Sequence, residues 1–290
     1  MQIFVTGSSS FIGRELISQC IKSGIRYSGV DLAESNQENC VVGDIRAAEI
    51  IDAIPWGCDT VVHLAALSRE ADCAGRTAEW MKTNVLATQN VVRAAKSKGI
   101  KSFVFASSEW VYDGFGDVER REDDNINLDL VNSQYGKSKL MAEDVLRKYS
   151  DEIGVAILRF GIVYGPRKNN WSAVETLFDK VAHSNLVEVG SLYSARHFIH
   201  VSDIAAAVFA SLGRRGFEIF NIQGGKLITL GEIIDTSCCL LNKSVDIIES
   251  DAPNPSIRRI SVRKAKDMLS WKPKVSLVEG LESLRSIMYC

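Results

Sequence analysis

Tyr135 and Lys139 stand four residues apart in the run Tyr135-Gly136-Lys137-Ser138-Lys139, which opens a stretch of helical periodicity. Residues at that spacing share one helical face, so a phenol and an ammonium can enter one site. A free phenol, with a pKa of about 10, is a poor base at neutral pH. A neighbouring positive charge favours the phenolate, which can then exchange a proton with an alcohol. Upstream lies Phe103-Val104-Phe105-Ala106-Ser107-Ser108-Glu109-Trp110. If a strand ends at Ala106, the two serines sit outside the carboxyl end of a sheet, where ligands of open α/β folds bind. Ser108 is the candidate to bond the reacting oxygen, with Ser107 as the nearer alternative. On its own, a Tyr–Lys spacing also occurs on ordinary exposed helices, and a loop serine also caps local backbone.

A second motif supplies context. Thr6-Gly7-Ser8-Ser9-Ser10-Phe11-Ile12-Gly13 joins the first apolar run to the first helical stretch. A dinucleotide pyrophosphate needs backbone amides at a helix N-terminus with little side-chain bulk nearby. Gly7 permits the tight turn, and Gly13 permits close helix–sheet packing. Asp31 ends the second candidate strand, where its carboxylate can accept from the ribose hydroxyls of an adenosine and repel a 2′-phosphate. That pattern argues for NAD over NADP. The alternative for Asp31 is an N-cap or turn aspartate. An oxidised nicotinamide ring would supply the second positive charge beside Tyr135.

These residues need a frame. Candidate strands at Ile3–Thr6, Tyr27–Asp31, Cys40–Val42, Thr60–Leu64, Ser102–Ala106 and Val155–Arg159 alternate with helical patterns. Phe11–Ser23, Thr77–Lys98 and Tyr135–Tyr149 are examples of those patterns, and Gly24 and Gly99 close two of them. The strands read as apolar runs with little alternation, as in a parallel sheet covered on both faces. The reading is an α/β, Rossmann-type doubly wound parallel sheet with a smaller C-terminal substrate-binding lobe. Residues 1–165 form the cofactor domain, the chain returns to it around 196–222, and 166–290 form mainly the second lobe. Four of the five prolines lie beyond residue 160, in line with a change of architecture there. The charged stretch Asp113–Asn132 reads first as a solvated surface loop and second as a cover over substrate.

Bulk properties narrow the class. With 290 residues, 46% hydrophobic, the chain can bury a large core. Its 34 basic and 36 acidic residues give a net charge of -2, which offers no basic stripe for nucleic acid. Seven scattered cysteines read as reduced, buried thiols without zinc-ligand spacing, so no metal is expected. The apolar strand begins directly after Met1, and no apolar run is long enough to span a bilayer. A cytoplasmic protein without a membrane partner is the expectation.

Together the three motifs resemble the extended short-chain dehydrogenase/reductase family, in its NAD-dependent nucleotide-sugar epimerase/dehydratase branch. Further matching stretches are Asp44-Ile45, His63-Leu64-Ala65-Ala66, Asn84 with Thr88, Leu158 through Arg167, Arg196 through Asp203, and Trp271-Lys272-Pro273. The resemblance implies that Gly7, Ser10, Phe11, Ile12 and Gly13 line the pyrophosphate and that Asp31 meets the adenosine ribose. It places Asp44 and Ile45 beside the adenine, Leu64, Ala65 and Ala66 beneath the cofactor's centre, and Asn84 among the cofactor-binding residues. Ser108, Tyr135 and Lys139 match the catalytic triad, with Tyr135 and Lys139 also among the cofactor-binding residues and Lys139 holding the nicotinamide ribose. Arg196 and Arg258 match arginines that bind the substrate diphosphate, and Glu109 adjoins the substrate. Three departures stand out: Ser10 replaces the middle glycine, Ile162 replaces an asparagine, and Glu109-Trp110 replace the Asp-Glu pair of sugar 4,6-dehydratases. An indole cannot abstract a proton, so elimination chemistry is disfavoured. The expectation is a homodimeric nucleotide-sugar 4-epimerase, paired through helices including Thr77–Lys98 and Tyr135–Tyr149. A keto-sugar reductase or dehydrogenase with exchangeable NAD(H) is the alternative, and a non-catalytic NAD-binding protein comes third.

Overall fold

Strands β1 (Gln2–Thr6), β2 (Arg26–Asp31), β3 (Cys40–Val42), β4 (Thr60–His63), β5 (Ser102–Ser108) and β6 (Gly154–Phe160) form one parallel sheet with a seventh strand, Phe217–Ile222. This computed structural model describes residues 1–167 and 172–288; Cys290 lies outside them, and the other six cysteines are free thiols. The order is β3-β2-β1-β4-β5-β6, followed by Phe217–Ile222. Direction of winding reverses between β1 and β4, and open α/β sheets bind ligands outside the strand ends at such a reversal.

Side chains alternate across each strand, and both faces are dry. Ile3 and Val5 pack with Leu16, Cys20, Ile204 and Val208 on one side. Phe4 packs with Val91, Val92, Phe103 and Leu146 on the other. Each such side chain contributes about 1.5–3 kcal/mol when fully buried. The double burial explains why the strands read as apolar runs. Helix α1 (Phe11–Lys22) follows β1 and starts on Ser10, whose hydroxyl accepts from Gly13 N.

Beyond β6, a third apolar cluster joins Phe178, Val187, Ile233 and Leu281. The tail is tied back to the sheet layer by Asp203, whose carboxylate accepts from Lys274 N and Val275 N at 3.0 Å. No helix among the described residues is long and apolar enough to cross a membrane, and no group of potential metal ligands is found among them.

Three elements differ from the sequence expectation. First, β5 continues through Ser108 because β6 keeps pairing with it, Ser107 opposite Arg159 and Ser108 opposite Phe160. The two hydroxyls are therefore on the strand and point to opposite faces. Second, the helix expected over Thr77–Lys98 is interrupted: Thr77–Trp80 and Ala87–Ser97 flank a π-helical turn, Met81–Leu86. Third, the Asp113–Asn132 stretch is no free loop. Arg120 N donates to Arg259 O and Ser261 N to Arg120 O, while Glu122 accepts from Asn221 N. Those partners come from the far end of the chain, which a local charge pattern cannot reveal.

Candidate active site

The glycine turn is built by close approach. Gly7 adopts φ +74°, and a Cβ there would lie 2.8 Å from Ala65 N. A Cβ on Gly13 would lie 2.2 Å from Gly7 O, so helix and turn touch backbone to backbone. Ser10 needs no such freedom: at φ -66° it is the N-cap of α1. The substitution of the middle glycine thus gives the helix a capping hydroxyl, 3.0 Å from Gly13 N. The first-turn N–H groups of a helix lack internal partners and favour an anion. Beside them, Asp31 Oδ2 accepts from Ser9 N at 2.9 Å and Oδ1 from Ala33 N at 3.1 Å. Each oxygen keeps a lone pair for a further donor.

A cavity of about 770 Å³ opens at this end of the sheet. Gly7, Ser10, Phe11, Ile12, Asp31, Asp44, Ile45, Leu64, Ala65 and Ala66 border it at one end. Ser108, Tyr135 and Lys139 border the same cavity, with Trp110 and Ile162. These residues suit a dinucleotide: a helix N-terminus free of Cβ bulk, a carboxylate at the tip of β2, and an apolar floor.

Tyr135 and Lys139 lie on the helix Gln134–Arg147. Gly136 is required there, because a Cβ would sit 2.2 Å from Trp110 O. That contact seats the helix against the end of β5. Lys139, only 2% exposed, donates from Nζ to Ala106 O at 2.7 Å and lies 5.7 Å from the centre of the Tyr135 ring. Burial lowers the Lys139 pKa to about 7. Burial also pushes the Tyr135 phenol above its ordinary range, against a smaller opposing effect of its bond to Ser108. The protein's own groups therefore do not keep Tyr135 ionised, contrary to the expectation for the Tyr–Lys pair. Desolvation is the largest cause at both groups.

Ser107 is engaged elsewhere and does not stand in for Ser108. Its hydroxyl donates to Glu143, a buried carboxylate that also holds Arg159 at 2.7 Å. Arg159 in turn donates to Tyr112 Oη at 2.7 Å, and Tyr112 donates to Asn221 Oδ1 at 2.9 Å. This network ties β5, β6, Phe217–Ile222 and the Tyr135 helix together beneath the site.

Gly13, packed against Gly7 O, stands behind the cavity wall, and four other expected residues stand away from it. Asn84 is buried behind it: Oδ1 accepts from Leu67 N at 2.8 Å, and Nδ2 donates to Leu67 O and to Ser138 Oγ. It is spent on backbone support rather than turned to a ligand. Arg258 pairs with Glu109 at 3.0 Å and Asp113 at 2.7 Å and stacks over Trp110 at 4.8 Å. It is neutralised twice over in this conformation. Arg196 donates to Ala195 O and to Ser256 O and Oγ. Glu109, 1% exposed, leaves Oε2 without a partner, and burial raises its pKa despite Arg258.

Residues that the sequence pattern did not single out also border the cavity: Glu70, Arg69, Arg76 and Thr83. Glu70 bonds the N-terminus of the Tyr135 helix. Thr83 sits on the π-helical turn, an irregularity frequent at functional sites. No spacing rule links these positions to the motifs.

A model of the NAD dependent epimerase/dehydratase family matches residues 3–222. The chain is 27% identical to the dTDP-4-dehydro-6-deoxyglucose reductase of Escherichia coli, over 99% of this chain and 98% of that one. It is 25% identical to the UDP-glucuronate 4-epimerase of Thermodesulfobacterium geofontis (strain OPF15), over 96% and 93%. Among solved structures, MoeE5 in complex with UDP-glucuronic acid and NAD matches with a TM-score of 0.88 and 28% identity, over 100% and 99% of the two chains.

Proposed function

The chain belongs to the NAD-dependent epimerase/dehydratase family of enzymes, and from that premise we propose that it is a nucleotide-sugar 4-epimerase working through a transient keto-sugar. The observation that carries this reading is the sharing of one cavity by the dinucleotide turn and by Ser108, Tyr135 and Lys139. Bound NAD supplies the hydride acceptor and donor, and its oxidised ring favours the phenolate. Gly7 through Gly13 would hold its pyrophosphate and Asp31 its adenosine ribose. Asp44 and Ile45 would flank the adenine.

Tyr135 takes the proton of the sugar 4′-hydroxyl as C4 is oxidised, and Ser108 orients that oxygen. Lys139, with a pKa near neutrality, holds the nicotinamide ribose and carries charge in the phenolate state. The keto-sugar turns over within the cavity, and Tyr135 returns the proton as C4 is reduced on its other face. Elimination is unsupported, since Glu109 is held by Arg258 and Trp110 has no base. We assign cofactor binding to residues 1–165 with 196–222 and substrate binding mainly to the rest of 166–290, in a cytoplasmic homodimer. In this scheme Arg196 and Arg258 would meet the diphosphate only after leaving their present partners.

A second reading, a keto-sugar reductase releasing its cofactor each turn, is favoured by the similarity to the E. coli reductase over nearly the full chain. The test is a panel of UDP-, dTDP- and GDP-sugars incubated with and without added NAD, with product stereochemistry read by NMR. Protein that retains NAD and inverts C4 without added cofactor supports epimerisation. Turnover that needs stoichiometric NADH replaces it with reduction.

A further inference from the structure

We infer that Glu70 is a positioning residue for the proton transfer: its carboxylate fixes the main chain of Tyr135 from the cavity side. The inference rests on the reading of Tyr135 as the group that exchanges the substrate proton.

The helix that carries Tyr135 begins on Ser133, so Gln134, Tyr135 and Gly136 are its first three residues. In an ordinary capping box, the third of these is a Glu or Gln whose side chain reaches back over the N-terminus. Here that place must be glycine, because Trp110 O leaves no room for a Cβ. The carboxylate comes instead from a distant part of the chain. Glu70 Oε1 accepts from Gln134 N at 3.1 Å; Oε2 accepts from Tyr135 N at 3.1 Å and from Ser133 Oγ at 2.6 Å. Ser133 Oγ itself accepts from Gly136 N at 2.9 Å, and Lys137 N donates to Ser133 O. Every N–H of the first turn is thereby engaged.

The carbonyl of Tyr135 is tied to the same wall. It accepts from Ser138 Oγ at 2.7 Å, which accepts from Asn84 Nδ2, and Asn84 clamps Leu67 through both its N–H and its carbonyl. Both peptide groups of Tyr135 thus lead to the Leu67–Glu70 segment, which borders the cavity next to Ala65 and Ala66. Glu70 is only partly buried, and its bonds from Ser133, Tyr135 and Gln134 outweigh that burial and keep it ionised. A misplacement of 1 Å can slow an enzymatic step about 100-fold, so an anchor on the Tyr135 main chain bears directly on rate.

The test is ultraviolet titration of the phenol in the NAD-loaded full-length protein, taking each variant minus its own Tyr135→Phe partner so that only Tyr135 is seen. In Glu70→Gln and Glu70→Ala the Tyr135 transition is expected to move to higher pH by about one unit, a tenfold change in ionisation constant. Loss of a nearby anion alone would move it the other way, so an upward shift reports lost placement against Ser108, Lys139 and the cofactor. Thr229→Ala, which removes a capping box on a helix outside the site, should leave the transition where it is. An unchanged or lowered transition in both Glu70 variants overturns the inference. So does an equal upward shift in Thr229→Ala. If wild-type protein loaded with NAD shows no Tyr135 ionisation below the ordinary phenol range, the reading of Tyr135 as the base fails first.

Discussion

Two carboxylates flank the Ser108–Tyr135 pair, Glu70 on the helix side and Glu109 next to Ser108 on the strand side, and their surroundings drive their protons in opposite directions. Glu70 is partly exposed and meets neutral donors, two backbone N–H groups and a hydroxyl. Its pKa is held below the ordinary value because those bonds outweigh its desolvation. Glu109 has a full guanidinium beside it, yet burial raises its pKa. Arg258 is divided between Glu109 and Asp113, and Glu109 Oε2 has no donor. Access to water and the number of donors, not the formal charge nearby, set the direction in which each carboxyl pKa moves. The corner with neutral donors is built to hold Tyr135 still. The corner with charges has more to lose if one partner goes.

The largest expected effect tests whether both corners serve Tyr135 at all. Tyr135→Phe should lower turnover of the best sugar in the panel by about 10²–10⁴-fold, the usual contribution of a positioned acid–base group. Wild-type turnover in that variant would break the comparison, because the two corners would surround a spectator. Next in size is Arg258→Met, which leaves Glu109 and Asp113 facing each other unpaired. Urea unfolding should show a loss of about 3–5 kcal/mol, as for removal of one partner of a buried ion pair. A much smaller loss would mean that Glu109 is already protonated in the native protein, which sharpens the contrast with Glu70.

The smallest effect is the pH dependence of stability, where the two residues should have opposite signs. The Glu70 pKa is lowered on folding, so its contribution is present above the unfolded value of about 4.3 and is lost as pH falls through the folded one. For Glu109 the folded pKa is raised, so its contribution is present below the unfolded value and is lost as pH rises through the folded one. Melting temperature followed across that range should therefore lose its acid-side slope in Glu70→Gln and its opposing slope in Glu109→Gln. Parallel slopes in the two variants would erase the distinction.

Much of the site was legible in short spacings. Gly7 with Ser9 through Ile12, Asp31 at the tip of β2, and Tyr135 with Lys139 are each defined by neighbours within one turn or one strand, and the fold delivers them to one cavity. Ser107 and Ser108 could not be separated that way. Only the continued pairing of β5 with β6 sends Ser107 toward Glu143 and leaves Ser108 for Tyr135. Asn84 looked like a ligand contact, but its partners are Leu67 and Ser138. Glu70 carried no signal, since the residues it holds lie 63 to 65 positions away. The Asp113–Asn132 stretch looked solvated because its strand partner lies near Ile260.

The sequence by itself determined the parallel α/β sheet, the dinucleotide turn, the preference for NAD and the Tyr–Lys helix. Periodicity, glycine placement and four-residue spacing are local properties, and local sterics act on neighbours in the chain. The tertiary structure alone decided which serine meets the phenol, which carboxyl pKa rises and which falls, and that Lys139 is brought close to neutrality in pKa. Those outcomes depend on desolvation and on donors from distant segments, and the dielectric around a group exists only after the chain has packed.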